Sequence, residues 1–353
     1  MKKRAASPAI FLESRGDRGQ SARPMKILAA MFCCLLALLP ANARAGNPPR
    51  RSRQPVLAGR DYVPVRAWAA DNHLKVSWVQ RNKIVALTNT AQRLVFTVNS
   101  AQAEINGVNV WLSHPVFVGN GDGPCVSTLD LQTTIQPLAF PPRNTAGKKL
   151  KLIVLDPGHG GKDTGNCVGS QAEKKYTLLL AQEIRDQLKK SGIKVAFTRS
   201  TDTFVELPAR PAKAQKLGAD LFLSLHFNAV REGRAEVHGS EVYCLTPAGA
   251  SSTNTRGEGN PSQVTGNRNN DKSLFLAYQI QKSLGRNLHA EDRGVRRARF
   301  AVLRDATMPA ALIEAGFMSH PAEGGKIFTA AYRREMARAI VNGILAYKRE
   351  VER

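Results

Sequence analysis

Residues 152–161 read Leu-Ile-Val-Leu-Asp-Pro-Gly-His-Gly-Gly, an apolar run that leads directly into a glycine-rich turn carrying His159. Two further apolar runs end in the same way, one at His226 and the other at Glu314. Short apolar runs bounded by turn residues are typical of buried strands, and in an open α/β sheet functional sites gather at the carboxyl ends of the strands. The sequence therefore predicts that these side chains lie at one edge of a sheet.

Two histidines and one carboxylate form a ligand set that proteins use for catalytic zinc, with the fourth position left for water. His159 and His226 supply the imidazoles, and Glu173, at the start of an amphipathic helical segment, supplies the carboxylate. Glu314 is then free to act as a general base. Glu173 has a second interpretation, because Ser170-Gln-Ala-Glu173 matches the Ser-x-x-Glu capping box of a helix start.

Residues 151–347 resemble the zinc-dependent N-acetylmuramoyl-L-alanine amidases of the amidase-3 type, a family of cell-wall hydrolases. The motifs that carry the resemblance are, in chain order, Leu155-Asp-Pro-Gly-His-Gly-Gly161, Glu173-Lys174, Thr198-Arg-Ser-Thr-Asp202, Ala219-Asp-Leu-Phe-Leu-Ser-Leu-His-Phe-Asn-Ala229, Arg293-Gly-Val295 and Leu312-Ile-Glu-Ala-Gly-Phe-Met-Ser319. The resemblance implies that His159, Glu173 and His226 bind Zn²⁺ and that Glu314 is the catalytic glutamate. The family usually has Asn at the position that His320 occupies here.

The bond that the resemblance implies as the substrate is the amide between N-acetylmuramic acid and L-Ala of the stem peptide in peptidoglycan. Asn228 and Arg297 are candidate residues of the substrate cleft, and His238 is the alternative metal ligand. Two other functions remain open from the residues: a zinc peptidase that cuts within the stem peptide, and a non-enzymatic wall-binding protein. A nucleic-acid binder is disfavoured, because no basic motif is interleaved with aromatic residues.

The first 45 residues are expected to be a leader and signal peptide. Met25-Lys26 precedes an apolar stretch over Ile27–Leu39, and Ala43-Arg-Ala45 provides a small-x-small cleavage site. This stretch is too short for a stable membrane helix. The pattern predicts export to the periplasm or cell wall, without a lipid anchor and without a membrane span in the mature protein, and the true start is either Met1 or Met25.

Residues 46–54 are rich in Pro, Arg and Asn and are expected to form a linker, and residues 55–140 to form a small β-rich (α+β) domain. Strand-like segments begin at Tyr62, Lys75, Ile84, Leu94 and Val108. Asp61-Tyr-Val-Pro-Val65 and Ile105-Asn-Gly107 resemble the stalk domain at the amino end of copper amine oxidases. We interpret this domain as a spacer or wall-binding module, and the resemblance implies no copper, because the histidines in it are isolated.

Residues 141–150 are expected to be a second linker, and strands and helices alternate over residues 151–350. The alternation predicts an α/β catalytic domain with a mixed sheet of about six strands and helices on both faces. Predicted strands include Ile193–Thr198, Asp220–Leu225, Glu241–Leu245 and Phe300–Leu303, and predicted helices include Lys174–Lys190, Pro208–Leu217, Leu274–Leu288 and Tyr332–Tyr347. The polar segment Thr246–Lys272 lacks the apolar stripe that an inhibitory helix would need, so we expect no autoinhibition by it.

The whole chain has a formal charge of +23, and residues 46–353 alone hold 43 basic and 26 acidic side chains, a charge of +17. Such a charge favours polyanionic partners. The expected partner is peptidoglycan, an activator protein is a further candidate, and the protein is expected to be a monomer. Removal of the leader leaves Cys125, Cys167 and Cys244, which permit one bridge, with Cys167 and Cys244 the favoured pair, or three small apolar side chains.

Overall fold

The computed structural model describes residues 56–57, 60–119, 123–253, 255 and 262–353. The predicted leader and signal peptide and the linker at 46–54 lie outside the described residues. In the described part of the chain, nine strands, three short α-helices and the π-helical turn Leu131–Ile135 precede residue 140. The strands are β1 (Val56–Leu57), β2 (Arg60–Pro64), β3 (Lys75–Gln80), β4 (Ile84–Thr88), β5 (Arg93–Thr97), β6 (Gln102–Ile105), β7 (Val108–Trp111), β8 (Phe117–Gly119) and β9 (Gly123–Ser127), and the helices are α1 (Val65–Asp71), α2 (Thr128–Asp130) and α3 (Gln136–Ala139).

Eight strands and six helices follow in the described part after residue 150. The strands are β10 (Leu152–Pro157), β11 (Cys167–Val168), β12 (Gln171–Ala172), β13 (Lys194–Phe197), β14 (Leu221–Asn228), β15 (Ser240–Leu245), β16 (Asp292–Ala298) and β17 (Ala310–Phe317). The helices are α4 (Glu173–Leu188), α5 (Ala209–Lys216), α6 (Asn270–Leu288), α7 (Ala301–Arg304), α8 (Pro321–Ile327) and α9 (Ala330–Val351).

One mixed sheet of 11 strands runs through both halves of the chain, in the order β13-β10-β14-β17-β15-β16-β7-β6-β5-β4-β3. The expected sheet of about six strands is therefore too small. Six strands do come from residues 152–317, but β7 pairs in parallel with β16 and adds the amino-terminal strands to the same sheet. The α/β character with a mixed sheet agrees with the prediction. A separate sheet has the order β1-β2-β9-β8.

Alternate residues of the strands belong to two hydrophobic cores, one on each face of the sheet, because successive side chains of a strand point to opposite faces. Ile153 and Leu155 of β10 belong to the larger core, which also contains the apolar stripes of α4, α6 and α9. Val154 and Phe222 belong to a smaller core on the opposite face, where residues of α5 and α7 cover the sheet. The larger core continues without a break into β4–β7 of the amino-terminal half.

Two sequence predictions need correction in the stretch 292–304. Residues 292–298 form β16, although the charged sequence Asp-Arg-Gly-Val-Arg-Arg-Ala has little of the apolar character of a strand. The predicted strand Phe300–Leu303 is instead the short helix α7, with Phe300 as its N-cap residue. Tertiary packing decides here: Val295 and Ala298 are buried, while the arginines of β16 find acceptors in neighbouring elements.

No disulfide joins the described cysteines: Cys125 and Cys244 are buried, and Cys167 is exposed. The favoured Cys167–Cys244 bridge is therefore not formed, and the alternative of small apolar side chains fits Cys125 and Cys244. Among the helices of the described ranges, none is long and apolar enough to cross a membrane.

Candidate metal centre

Strand pairing brings His226 and Glu314 side by side. β14 and β17 are parallel neighbours, and their register places His226 opposite Glu314. β10 pairs with β14 on the other side, so the turn that follows β10 delivers His159 to the same edge. The two imidazole rings are 4.9 Å apart between centroids and nearly perpendicular, with an angle of 80° between their planes.

Glu173 lies between the two histidines at this edge of the sheet, and its side chain is 1% exposed. Its Oε2 atom lies 3.1 Å from His159 Nε2, and its Oε1 atom lies 3.0 Å from His226 Nδ1. The backbone N–H groups of Asn166 and Phe227 donate to the same two oxygens, over 2.9 Å and 3.0 Å. Each oxygen of the carboxylate therefore has one imidazole and one backbone donor.

The capping-box interpretation of Glu173 does not hold in this structure. Helix α4 begins at Glu173 itself, its N-cap residue is Ala172, and no side chain caps it. The carboxylate instead occupies the first turn, where the positive end of the helix dipole favours a negative charge. In a capping box, the Glu173 side chain would reach back to the N-cap residue. In this structure it is directed to His159 and His226.

The turn after β10 has the conformation that its glycines permit. His159 has φ 62, a left-handed conformation that few residues with a side chain adopt. A Cβ atom on Gly158 would lie 2.3 Å from His226 Cε1, so only glycine lets the turn pass against the second imidazole. His159 Nδ1 lies 2.9 Å from Asp163 Oδ2, which orients the ring and leaves Nε2 facing Glu173.

The charges of this cluster are strongly coupled. Burial alone would lower the pKa of His159, but its hydrogen bonds to Asp163 and Glu173 and their negative charges raise that pKa to about 10. Burial would raise the pKa of Glu173, but hydrogen bonds from His159 and His226 hold it below its ordinary value. The carboxylate is therefore ionised, as a metal ligand must be.

Glu314 lies in the opposite environment. Its Oε2 atom is fully buried and has no hydrogen-bond partner among the described residues. Burial, followed by the negative charges of Glu173 and Glu241, raises the pKa of Glu314 well above its ordinary value. A buried polar atom without a partner is uncommon in a folded protein and indicates a group that acts on something else.

The described donors fit a zinc ion. The ligand atoms of His159, Glu173 and His226 all lie within 4.8 Å of one another, and this is the one such group of three among the described residues. A tetrahedral zinc site with ligand distances of 2.0–2.1 Å places its donors about 3.3 Å apart. The imidazole–carboxylate distances of 3.1 Å and 3.0 Å are close to that value.

The structure also shows which other predicted residues reach the site. Asn228 ends β14, and its Nδ2 atom donates to Glu241 over 3.1 Å. Arg297, the other residue expected in the substrate cleft, is 3% exposed, and its guanidinium donates to Leu245 O and Thr133 O. The structure thus gives Arg297 a structural role between the two halves of the chain.

The two remaining histidines of interest lie outside the cluster. His238 is 3.4 Å from Glu291, and its ring packs on that of His320. His320 is the N-cap residue of α8, where its Nδ1 atom accepts a hydrogen bond from Glu323 N over 3.1 Å. An asparagine, the usual residue of the family at this position, is also a good N-cap, so the replacement conserves the local function.

Sequence reasoning missed several residues that hold the site in place. Arg199 donates to the carbonyl oxygens of Pro157 and Gly158, and Arg210 donates to His159 O over 2.9 Å. Arg210 also forms a buried ion pair of 2.9 Å with Asp156. The signal for Asp156 was present in the sequence, since a carboxylate at the end of an apolar strand needs a buried partner.

The glutamate at the start of β15 was also missed. Glu241 is 3% exposed and pairs in register with Glu314 on the neighbouring antiparallel strand. Hydrogen-bond donors from three strands surround its carboxylate. No spacing in the sequence links it to the metal-binding residues, because β15 follows β14 after a connection of 11 residues.

Two family profiles match this chain. That of the N-acetylmuramoyl-L-alanine amidases (Amidase_3) matches residues 153–346, which is more than half of the chain. That of the copper amine oxidase N-terminal domain matches residues 45–129.

Individual relatives are similar to more than half of this chain. The chain is 33% identical over 229 residues to N-acetylmuramoyl-L-alanine amidase AmiA of Escherichia coli strain K12, with 58% of this chain and 78% of AmiA covered. It is 35% identical over 230 residues to N-acetylmuramoyl-L-alanine amidase AmiC of Neisseria meningitidis, with 59% of this chain but 55% of AmiC covered. Among solved structures, N-acetylmuramoyl-L-alanine amidase AmiC2 of Nostoc punctiforme is 33% identical, with a TM-score of 0.47 and coverage of 57% of this chain and 98% of that one.

Proposed function

Because the chain belongs to the N-acetylmuramoyl-L-alanine amidase family, we propose that it hydrolyses the amide bond between N-acetylmuramic acid and L-Ala of peptidoglycan in a zinc-dependent reaction. The observation that carries the zinc dependence is the triad of His159, Glu173 and His226, with ligand atoms within 4.8 Å of one another. The relatives AmiA and AmiC bear the name of this activity.

The proposed metal ligands are His159 through Nε2, Glu173, and His226. A zinc ion in this position supplies a Lewis acid for the amide carbonyl and lowers the pKa of a water molecule to about 7. Asp163 fixes the tautomer of His159 through Nδ1, over 2.9 Å. The backbone donors to Glu173 keep the carboxylate from rotating away from the imidazoles.

Glu314 is the proposed general base. Glu314 lies on β17, next to the strand that carries His226 and in register with that residue. Its Oε2 atom has no hydrogen-bond partner among the described residues. In the reaction Glu314 accepts the proton of the attacking water and delivers it to the nitrogen of the departing L-Ala. A buried carboxyl group with a raised pKa is suited to this transfer, because it holds the proton firmly enough to pass it on at neutral pH.

We propose that the protein acts outside the cytoplasm, as the expected signal peptide at residues 1–45 implies and as a peptidoglycan substrate requires. We also propose the division into an amino-terminal domain at 55–140 and a catalytic domain at 151–350. An N-terminal domain of the copper amine oxidase type in an amidase supports a role in placing the catalytic part on the wall.

The test is digestion of purified peptidoglycan sacculi by the purified protein, with mass analysis of what is released. We expect intact stem peptides with a free amino group on L-Ala, no release with a chelator, and recovery on addition of Zn²⁺. Fragments cut within the stem peptide would overturn the proposal in favour of a zinc peptidase. Binding to sacculi without any release would favour a non-enzymatic wall-binding protein.

A further inference from the structure

Glu241 lies beside the proposed base in a cage of hydrogen-bond donors. Arg296 Nε is 2.9 Å and Arg293 Nε is 3.3 Å from its Oε2 atom. The hydroxyl of Tyr243 and the amide of Asn228 donate to Oε1, over 2.9 Å and 3.1 Å. Both oxygens are thus saturated, and the carboxylate is held by residues of β14, β15 and β16.

The neighbouring carboxylate has no such partners. β15 and β17 are antiparallel, and their register places Glu241 directly opposite Glu314. Side chains directly opposite each other on adjacent strands project from the same face, with Cβ atoms about 5 Å apart. Glu241 on β15 therefore lies between Glu314 on β17, whose Oε2 atom is buried and has no partner among the described residues, and the two arginines on β16 that pair with Glu241.

This arrangement has a chemical consequence for Glu314. An arginine that paired with Glu314 would occupy the lone pairs that a general base needs and would turn the carboxylate away from the substrate. Glu241 competes for the same guanidinium groups and holds them. In the structure both guanidinium groups pair with Glu241, and the Oε2 atom of Glu314 has no partner among the described residues.

The amino-terminal half of the chain contributes to the same arrangement through Trp111, the last residue of β7. The guanidinium carbon of Arg296 lies 4.8 Å from the centre of the Trp111 ring, within the range of a cation–π contact. The indole N–H donates to Arg293 O over 3.2 Å. Trp111 therefore covers the guanidinium of Arg296 and anchors the strand from which both arginines project.

The junction around Trp111 is close-packed and specific. Asn109 N donates to Asp292 Oδ2 over 2.7 Å, and Asn109 Nδ2 donates to Asp292 O over 2.8 Å. Gly294 has φ 92, and a Cβ atom on it would lie 2.9 Å from Asn109 O, so the two strands approach as closely as glycine permits. The position of Arg296 thus depends on strands from both halves.

We propose that Glu241 is a positioning residue of the amidase reaction, which keeps Arg293 and Arg296 off Glu314, and that Trp111 of the amino-terminal half acts on the reaction by holding Arg296 against Glu241. This inference rests on the proposed function. It adds a role in catalysis to the amino-terminal half, beyond that of a spacer or wall-binding module.

The experiment measures kcat, KM, zinc content and the midpoint of thermal unfolding on the full chain. Glu241→Gln keeps the shape of the side chain and removes its charge, so we expect kcat to fall about 30-fold with KM and zinc content unchanged. The double variant Glu241→Gln/Arg296→Met removes one of the two freed cations, and we expect it to recover about fivefold of the lost kcat. A merely structural role of Glu241 predicts a further loss in the double variant.

The second arm tests Trp111. Trp111→Ala is expected to lower kcat about fivefold, in line with the loss of one cation–π contact, whereas Trp111→Phe recovers most of the activity because it restores a ring face. Trp68→Ala is the matched control, since Trp68 lies on α1, and its indole N–H is 3.4 Å from Gln136 Oε1, within the amino-terminal half. Trp68→Ala should leave kcat within twofold of the unchanged protein.

Two results would overturn the inference. One is a double variant no more active than Glu241→Gln, and the other is equal kcat in Trp111→Ala and Trp68→Ala. If Trp111→Ala does not fold, the comparison of Glu241→Gln with its double variant decides. Absence of stem-peptide release by the unchanged protein would instead refute the proposed function, so the two failures are distinguishable.

Discussion

Two glutamates near His226 have opposite environments. Glu173 is surrounded by donors, and its pKa is lowered, whereas the Oε2 atom of Glu314 is buried without a partner among the described residues, and the pKa of Glu314 is raised. Environments that push the pKa values of two like groups apart identify a ligand and a base. At the residue scale, this difference in environment is what assigns the roles.

Replacing Glu314 by alanine tests its assignment as the base. We expect Glu314→Ala to bind zinc as the unchanged protein does and to lose at least ~100-fold in rate, in line with general-base contributions. Zinc content by atomic emission and stem-peptide release from sacculi are the two measurements. A variant that kept its rate would require another base, and one that lost zinc would place Glu314 among the ligands.

A variant of Asp163 tests whether the carboxylate that orients His159 contributes to zinc affinity. Asp163→Ala removes the acceptor for His159 Nδ1, and we expect zinc affinity to fall about 10- to 100-fold, as for other carboxylates that orient a metal-binding histidine. Competition with a chelator measures the affinity. Asp202→Ala is the control, because Asp202 binds the same turn at Gly161 N but contacts neither histidine; equal loss in both variants would contradict the assignment.

The residue types at the site were predictable from sequence because strand ends and motifs mark them, but their partners were not. His159, His226 and Glu314 each follow an apolar run. Asn166, Glu241 and Arg210 reach the site through contacts with residues 7 to 73 positions away in the chain, and nothing local in the sequence encodes these contacts. Arg297 likewise makes a contact remote in sequence, since its guanidinium donates to Thr133 O.

At the element scale, the turn between β10 and β12 is stabilised by side chains from other elements. Its carbonyl oxygens accept from Arg199 and Arg210, which replace the backbone donors that a regular element would supply. Arg210 also neutralises Asp156, which has hydroxyl donors in Thr198 and Ser224. The conformation of the metal-binding turn thus depends on a buried ion pair.

Removing one partner of that pair should be costly. Arg210→Ala leaves the Asp156 carboxylate buried without its cation, and we expect a loss of about 3–5 kcal/mol in the free energy of unfolding. Urea denaturation followed by circular dichroism gives this value. Arg185→Ala is the matched control: Arg185 pairs with Asp186 on an exposed helix surface, and its loss should cost under about 1 kcal/mol. Similar losses in the two variants would refute the argument.

Elements with strong periodicity were the most predictable. The buried stripe of Tyr176, Leu180, Ile184 and Leu188 defines α4, and Gly192 with φ 73 follows its end, as the sequence indicated. β16 was missed because its arginines conceal the strand pattern; their acceptors lie on other strands. In the described part of the segment 246–272, Thr253 contacts β16: its N donates to Arg297 O, and its Oγ1 accepts from Arg297 N.

At the scale of the whole molecule, the two halves share one sheet and one core. β7 continues the sheet beyond β16, and Tyr278 of α6 donates to Ile105 O in the amino-terminal half over 3.1 Å. Neither feature was predictable, because the linker at 141–150 reads as a boundary between independent units. Composition locates a connection along the chain but says nothing about the surfaces on either side of it.

A truncated chain tests this shared core. A fragment starting at Pro141 would expose the face of β16 and α6 that the amino-terminal strands cover, and we expect its thermal midpoint to fall by about 10 °C, since each kcal/mol lost shifts the midpoint by about 2–4 °C at this size. Differential scanning calorimetry of both proteins is the measurement. The full chain should show one transition; two separate transitions would mean that the halves fold independently.

The close approach of β7 and β16 at Gly294 also bears on protein engineering. Lytic enzymes are commonly retargeted by exchanging the module in front of the catalytic unit for another. Here a cut in the connection at 141–150 would expose the edge of β16, with its backbone N–H and C=O groups unpaired. A chimera built on that fragment would be prone to aggregate through this edge. A chimera that is meant to remain soluble should carry residues 60–139 with it and attach its new targeting module ahead of them.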